Sequence, residues 1–207
     1  MPYRKQPLVV GIDLAGSPHR RTGLCLLDGT RAVTSVVFGD DEILDLVRKA
    51  RPAIVPIDAP LSLPPGRCSI HSRTGGHLRL CDRELLRGKI RFSPITLGPM
   101  RMLTARGISL KRRLVKMGYR PVECYPGVAQ DLWGLPRQHK NLSGLLARLK
   151  KLGLKGLKKT ATSDELDAAT AALVGGWLLS GQGVMLGGKR GILIPAVTGG
   201  HDCHKMG

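Results

Sequence analysis

With 207 residues, 42% of them hydrophobic, the chain can bury a substantial core, and five scattered cysteines, odd in number, argue against a disulfide framework. Thirty-three Lys and Arg against 15 Asp and Glu give a formal charge of +18, which points to a polyanion such as nucleic acid, an acidic membrane surface being the weaker alternative. Only 3% of residues are aromatic, so extensive stacking on exposed rings is disfavoured and binding is expected mainly through backbone phosphates.

The opening MPYRKQP lacks the long apolar segment and small-residue cleavage site of a secretory signal, which predicts a cytoplasmic protein. Residues 8–14 read as a buried strand, followed at hairpin distances by strands over 23–27 and 32–38, with Asp28-Gly29 supplying the second turn. A helix over 41–50 is predicted from Ile43, Leu44 and Val47 at helical spacing, then a strand over 53–57. Residues 60–99 are rich in Pro, Gly, Arg and Ser, with a short helical piece near 82–87, and read as an active-site excursion.

Residues 100–117 predict a basic amphipathic helix weakened by Gly107, followed by a strand over 121–124 and a helix over 142–152. The stretch 168–188 is uncharged but diluted by Gly, Ser and Gln, which favours a buried helix over 163–179 rather than a membrane span. Segments 184–186 and 192–194 suggest a final hairpin, and residues 198–207 a short flexible tail. No repeat or linker interrupts the chain, so a single α/β domain over 1–207 with a sheet of mixed direction is expected.

Four acids stand where apolar runs stop or where a helix should face the core: Asp13 after LVVGI, Asp58 after AIVPI, Glu123 in PVECYPG and Asp167 in SDELDAATAAL. Burying such acids is costly unless a cation compensates them, and hard oxygen donors suit Mg²⁺ or Mn²⁺. Asp13 emerges at a strand's carboxyl end, on the face of Val9 and Gly11, and Asp58 repeats the arrangement. Asp167 heads the stripe Ala171, Val174 and Leu178. Asp164 lies one turn earlier, suited either to join it or to favour the helix dipole, and Glu165 reads as part of a capping box with Thr162.

Charge is uneven, with 15 basic and two acidic side chains in residues 101–160, where Arg106, Arg112 and Arg113 belong to the expected electrostatic footprint. Arg67, Arg73, Arg79, Arg83, Arg87 and Arg91 crowd the excursion, where they either guide a phosphate or form a solvated loop. Cys68, His71, His77 and Cys81 form a weaker zinc candidate, and the tail's His201, Asp202, Cys203 and His204 a weaker one still.

The blocks GIDLAGSPHRRTGLCLL, IVPIDAPLSLP, CDRELLRGKIRFSP, GYRPVECYPG and SDELDAATAAL resemble, in order, segments of domain-of-unknown-function family 429, described as predicted nucleases of the RNase H fold. The resemblance implies a five-stranded mixed sheet flanked by helices, the first three strands antiparallel. It implies catalytic roles for Asp13, Asp58 and Asp167, with Glu123 as an extra acid, and the spacing of Asp164 and Asp167 is similar to that in the late helix of Holliday-junction resolvases. A metal-dependent nuclease is therefore expected, with Asp13, Asp58, Asp164 and Asp167 as metal ligands and Arg83, Arg87, Arg91, Arg112 and Arg113 as substrate contacts. Two alternatives stay open: a noncatalytic nucleic-acid-binding protein of the same fold, and a phosphotransfer enzyme of the actin-like branch, for which 207 residues leave little room for a second lobe.

Overall fold

The computed structural model describes residues 7–137 and 141–196; the predicted tail lies outside them. The chain opens with β1 (Val9–Asp13), β2 (Thr22–Asp28) and β3 (Arg31–Val37), as the alternating apolar pattern predicts. Asp28 pairs with Arg31 across a two-residue turn in which Gly29 takes φ 58°, a left-handed conformation open to glycine because it has no Cβ. β1 is antiparallel to β2 and parallel to β4 (Val55–Asp58), and β4 is parallel to β5 (Pro121–Cys124).

These five strands stand in the order β3-β2-β1-β4-β5, the first three antiparallel, and the fold is a mixed α/β sheet flanked by helices. The sheet has seven strands rather than five. The predicted hairpin forms as β6 (Gly183–Leu186) and β7 (Ile192–Pro195), and β7 runs parallel to β5, pairing an edge that would otherwise be open.

Helices α1 (Asp40–Ala50), α2 (Leu80–Arg87), α3 (Gly98–Lys116), α4 (Pro126–Leu132), α5 (Leu142–Lys151) and α6 (Ser163–Leu179) complete the chain. Strand alternation divides the core in two. Val10, Ile12 and Ile57 pack with Ile43 of α1 and with Leu110 and Leu114 of α3. On the other face Val9, Cys25 and Leu27 pack with Leu145 and Leu149 of α5 and with Leu166 of α6. Truncating any of these fully buried leucines to alanine would cost about 2–5 kcal/mol.

Helix α6 begins with the predicted capping box: the Glu165 backbone N–H donates to Thr162 Oγ1 at 3.3 Å, and the Thr162 N–H donates to the Glu165 carboxylate at 2.8 Å. From Leu166 to Gly175 every residue is buried, so the uncharged stretch is a core helix. No helix among the described residues is long and apolar enough to cross a membrane. The helix lies directly on the sheet. A methyl group on Gly11 would overlap the Ala168 carbonyl, and one on Gly23 would overlap the Asp164 carbonyl, so only glycine permits this approach. Gly107, expected to weaken α3, is likewise a contact point, because a Cβ there would press on the Pro60 carbonyl.

Candidate active site

Asp13 and Asp58 end adjacent parallel strands and are paired level with each other, so both side chains project from the carboxyl ends onto the face covered by α6. The glycine seat brings the first turns of α6 over the same strand ends, carrying Asp164 and Asp167. Burial pushes the Asp13 carboxyl well above the ordinary aspartate range, and repulsion from Asp167 and Asp164 adds to the shift. Asp58 is raised for the same reasons, first by burial and then by Asp13, Asp167 and Glu123, with Arg137 opposing. Burial drives Asp167 up to about 6 even though Gln130 Nε2 donates to its Oδ1 at 2.7 Å. Asp164 faces Arg21 at 3.6 Å.

The donor set is made of hard carboxylate oxygens that repel one another, a combination that suits a divalent cation in kind. Among the described residues, no three Asp, Glu, His or Cys side chains stand close enough together to hold an ion. The same observation removes the zinc candidate: Cys81 is buried, while Cys68, His71 and His77 are exposed.

Glu123 approaches the other acids from the opposite side of the sheet. On β5, Cys124 is level with Asp58 and Glu123 is level with Ile57, so Glu123 faces the α3 side of the sheet. Its Oε2 accepts from Arg79 Nη1 at 2.7 Å and from the Leu61 backbone N–H at 2.8 Å. Arg79 also holds Asp82, its Nη2 donating to Oδ1 at 2.8 Å. Burial alone would lower the Arg79 pKa, but Glu123 and Asp82 reverse that and keep it charged. Glu123 therefore anchors the excursion to β5 through a buried ion-pair network, and it borders the same cavity as Asp13 and Asp58 from the α3 side.

The predicted basic residues also divide. Arg67 and Arg106 are buried braces: Arg67 Nε donates to the Gly76 carbonyl at 3.0 Å, and Arg106 Nε donates to Asp40 at 2.8 Å. Arg83, Arg87, Arg91, Arg112 and Arg113 are exposed, Arg87 pairing with Glu84 and Arg113 with Asp41. Arg112, Arg113, Lys111 and Lys116 line a groove of ≈ 1320 Å³ between α3 and the excursion.

A second, smaller cavity of ≈ 240 Å³ is lined by Asp13 and Asp58, bordered by the Arg79, Asp82 and Glu123 network, and roofed by the excursion and α3, including Phe92, Met100 and Leu103. Tyr125 joins it from the start of α4, its hydroxyl donating to the Arg91 carbonyl at 3.1 Å. Sequence reasoning missed this wall, along with Gln130 and Arg137. Helix α4 has too few residues to show a helical period, its only sequence sign being Pro126 at the first position.

No family model matches the sequence, and no curated protein matches it. Among solved structures, the chain is similar to T. thermophilus RuvC in complex with a Holliday junction substrate, at 14% identity and a TM-score of 0.48, over 84% of this chain and 96% of that one. It is also similar to a further Thermus thermophilus RuvC structure, at 14% identity and a TM-score of 0.46 over the same shares of the two chains.

Proposed function

We propose that the chain is a Mg²⁺- or Mn²⁺-dependent nuclease, as the resemblance to domain-of-unknown-function family 429 implies. The observation that carries this reading is the level pair Asp13 and Asp58, half-buried at the strand ends beside the buried Asp167 and without a directly bonded counter-charge among the described residues. Asp13, Asp58 and Asp167 would hold the ions, and Asp164 would complete the set. When bound, the cations would stabilise charge on the scissile phosphate and lower the pKa of the attacking water.

The chain's own groups do the remaining work. Gln130 fixes the Asp167 carboxylate by donating to it, and burial of the acids strengthens their hold on a positive charge. Arg112, Arg113 and Lys116 supply phosphate contacts along the groove, and Arg83, Arg87 and Arg91 extend the positive surface from the excursion. The pairs Arg113–Asp41 and Arg87–Glu84 are exposed, so exchanging the carboxylate for a phosphate costs little.

The test is incubation of the purified chain with DNA, RNA, hybrid and branched substrates plus Mg²⁺ or Mn²⁺, beside Asp13→Asn and Asp167→Asn. Cleavage that requires the cation and is lost in both variants is expected. Salt-dependent binding with no cleavage would leave a noncatalytic nucleic-acid-binding protein.

A further inference from the structure

We infer that the cavity beside Asp13 and Asp58 receives one unpaired nucleobase, so that the substrate strand must present a single-stranded or extruded nucleotide rather than a continuous duplex. This inference rests on the nuclease reading and narrows its substrate class.

Size is the first argument. At ≈ 240 Å³ the cavity falls just below the range of about 300–1000 Å³ that suits drug-sized ligands, which leaves room for one base and its sugar but not for a base pair with two backbones. Its walls are the second argument. The chain has only seven aromatic residues, two Trp, three Tyr and two Phe, yet Phe92 and Tyr125 both border this one cavity, with Met100, Leu103 and Leu85 as further apolar surface. An aromatic and thioether wall beside a phosphate-handling site is what a base's π-face requires, and such stacking is tolerant of base identity.

Position is the third argument. Asp13 and Asp58 line the cavity itself, so a base seated there brings its own backbone phosphate to the acids. Duplex flanks are too wide to enter and would lie along the basic groove, which opens on the α3 side. Arg79 borders both spaces and joins them at one wall. The low aromatic content predicts binding through phosphates along most of the strand. This cavity is the local departure from that rule.

The test reads base stacking without metal. The full chain in EDTA is titrated into oligonucleotides that carry 2-aminopurine either in a short single-stranded flap or in the middle of a blunt duplex. Fluorescence changes on binding are expected for the flap and not for the duplex. Phe92→Leu, which keeps apolar bulk but removes the ring, is expected to weaken flap binding about 5- to 100-fold. Tyr125→Phe, which keeps the ring, should leave flap binding within about twofold, and thermal melting of both variants checks their folding.

Equal fluorescence responses from flap and duplex, or a folded Phe92→Leu protein with unchanged flap affinity, would overturn the inference. Binding of no oligonucleotide at all would overturn it too. Metal-dependent cleavage indifferent to pairing would remove the base pocket and leave the nuclease reading intact, whereas a flap-specific signal without cleavage would do the reverse.

Discussion

Two groups of acids on opposite faces of the same sheet show how one neighbouring cation changes what a buried carboxylate is for. Glu123 and Asp82 share the guanidinium of Arg79, with Glu123 also accepting from a backbone N–H, so their negative charge is matched inside the protein. On the adjacent strand β4 and on the other side of the sheet, Asp58 faces Asp13 and Asp167, Glu123 adds to the repulsion, and Arg137 acts on it without a direct hydrogen bond. The first group closes on itself and holds the excursion in place. The second keeps unmet attraction for positive charge, and that is the condition for taking up an ion from solution.

The largest expected effect tests the unmatched side. Asp58→Asn should lower cation-dependent cleavage by at least about 10³-fold, equivalent to about 4 kcal/mol of barrier, in a folded protein. Full activity in this variant, measured by initial rates on the preferred substrate, would break the comparison.

The matched side should respond in stability. Arg79→Met leaves two buried carboxylates without their partner and should cost about 3–5 kcal/mol in urea unfolding at pH 7. Adding Glu123→Gln and Asp82→Asn should recover most of the loss, because it removes the stranded charges. No recovery would mean that Arg79 stabilises by packing alone.

Asp167 sharpens the contrast through pH. Its folded value of about 6 lies above the ordinary 3.8, so the native state favours the protonated acid. That stabilisation is fully present below pH 3.8 and is lost as pH rises through about 6. In EDTA, Asp167→Asn should therefore be more stable than the parent at pH 8, by on the order of 2 kcal/mol, with the difference fading toward pH 4. Mg²⁺ should raise the melting temperature of the parent more than that of the variant.

The smallest effect concerns the groove. Arg112→Ala should weaken nucleic-acid binding a few-fold and reduce the slope of log affinity against log salt by about one. An unchanged slope would place the backbone elsewhere on the surface.

Much of this arrangement is legible in the residues. The first three strands follow from alternation and from Asp28-Gly29, and α6 follows from its capping box and apolar run. Asp13, Asp58 and Asp167 are legible because each interrupts or heads an apolar pattern that would otherwise stay buried. The face from which Glu123 points is not, because the face of a four-residue strand depends on its register against β4, which only long-range pairing determines. Arg79 hides for a related reason: among the arginines of residues 60–99, nothing local marks the one that reaches a strand 44 positions later. Gly107 reads as a defect until the Pro60 carbonyl beneath it is known.

The seating of α6 on Gly11 and Gly23 has a consequence for how the molecule comes into being. The strands that open the chain are covered by a helix made some 150 residues later, so their apolar face stays bare through most of synthesis. Such late, long-range closure slows folding and exposes sticky intermediates. A ribosome-bound fragment ending ahead of Ser163 should depend on chaperones. Because the same helix carries Asp164 and Asp167, the chain would gain its reactive centre only at the step that also hides its unfinished core.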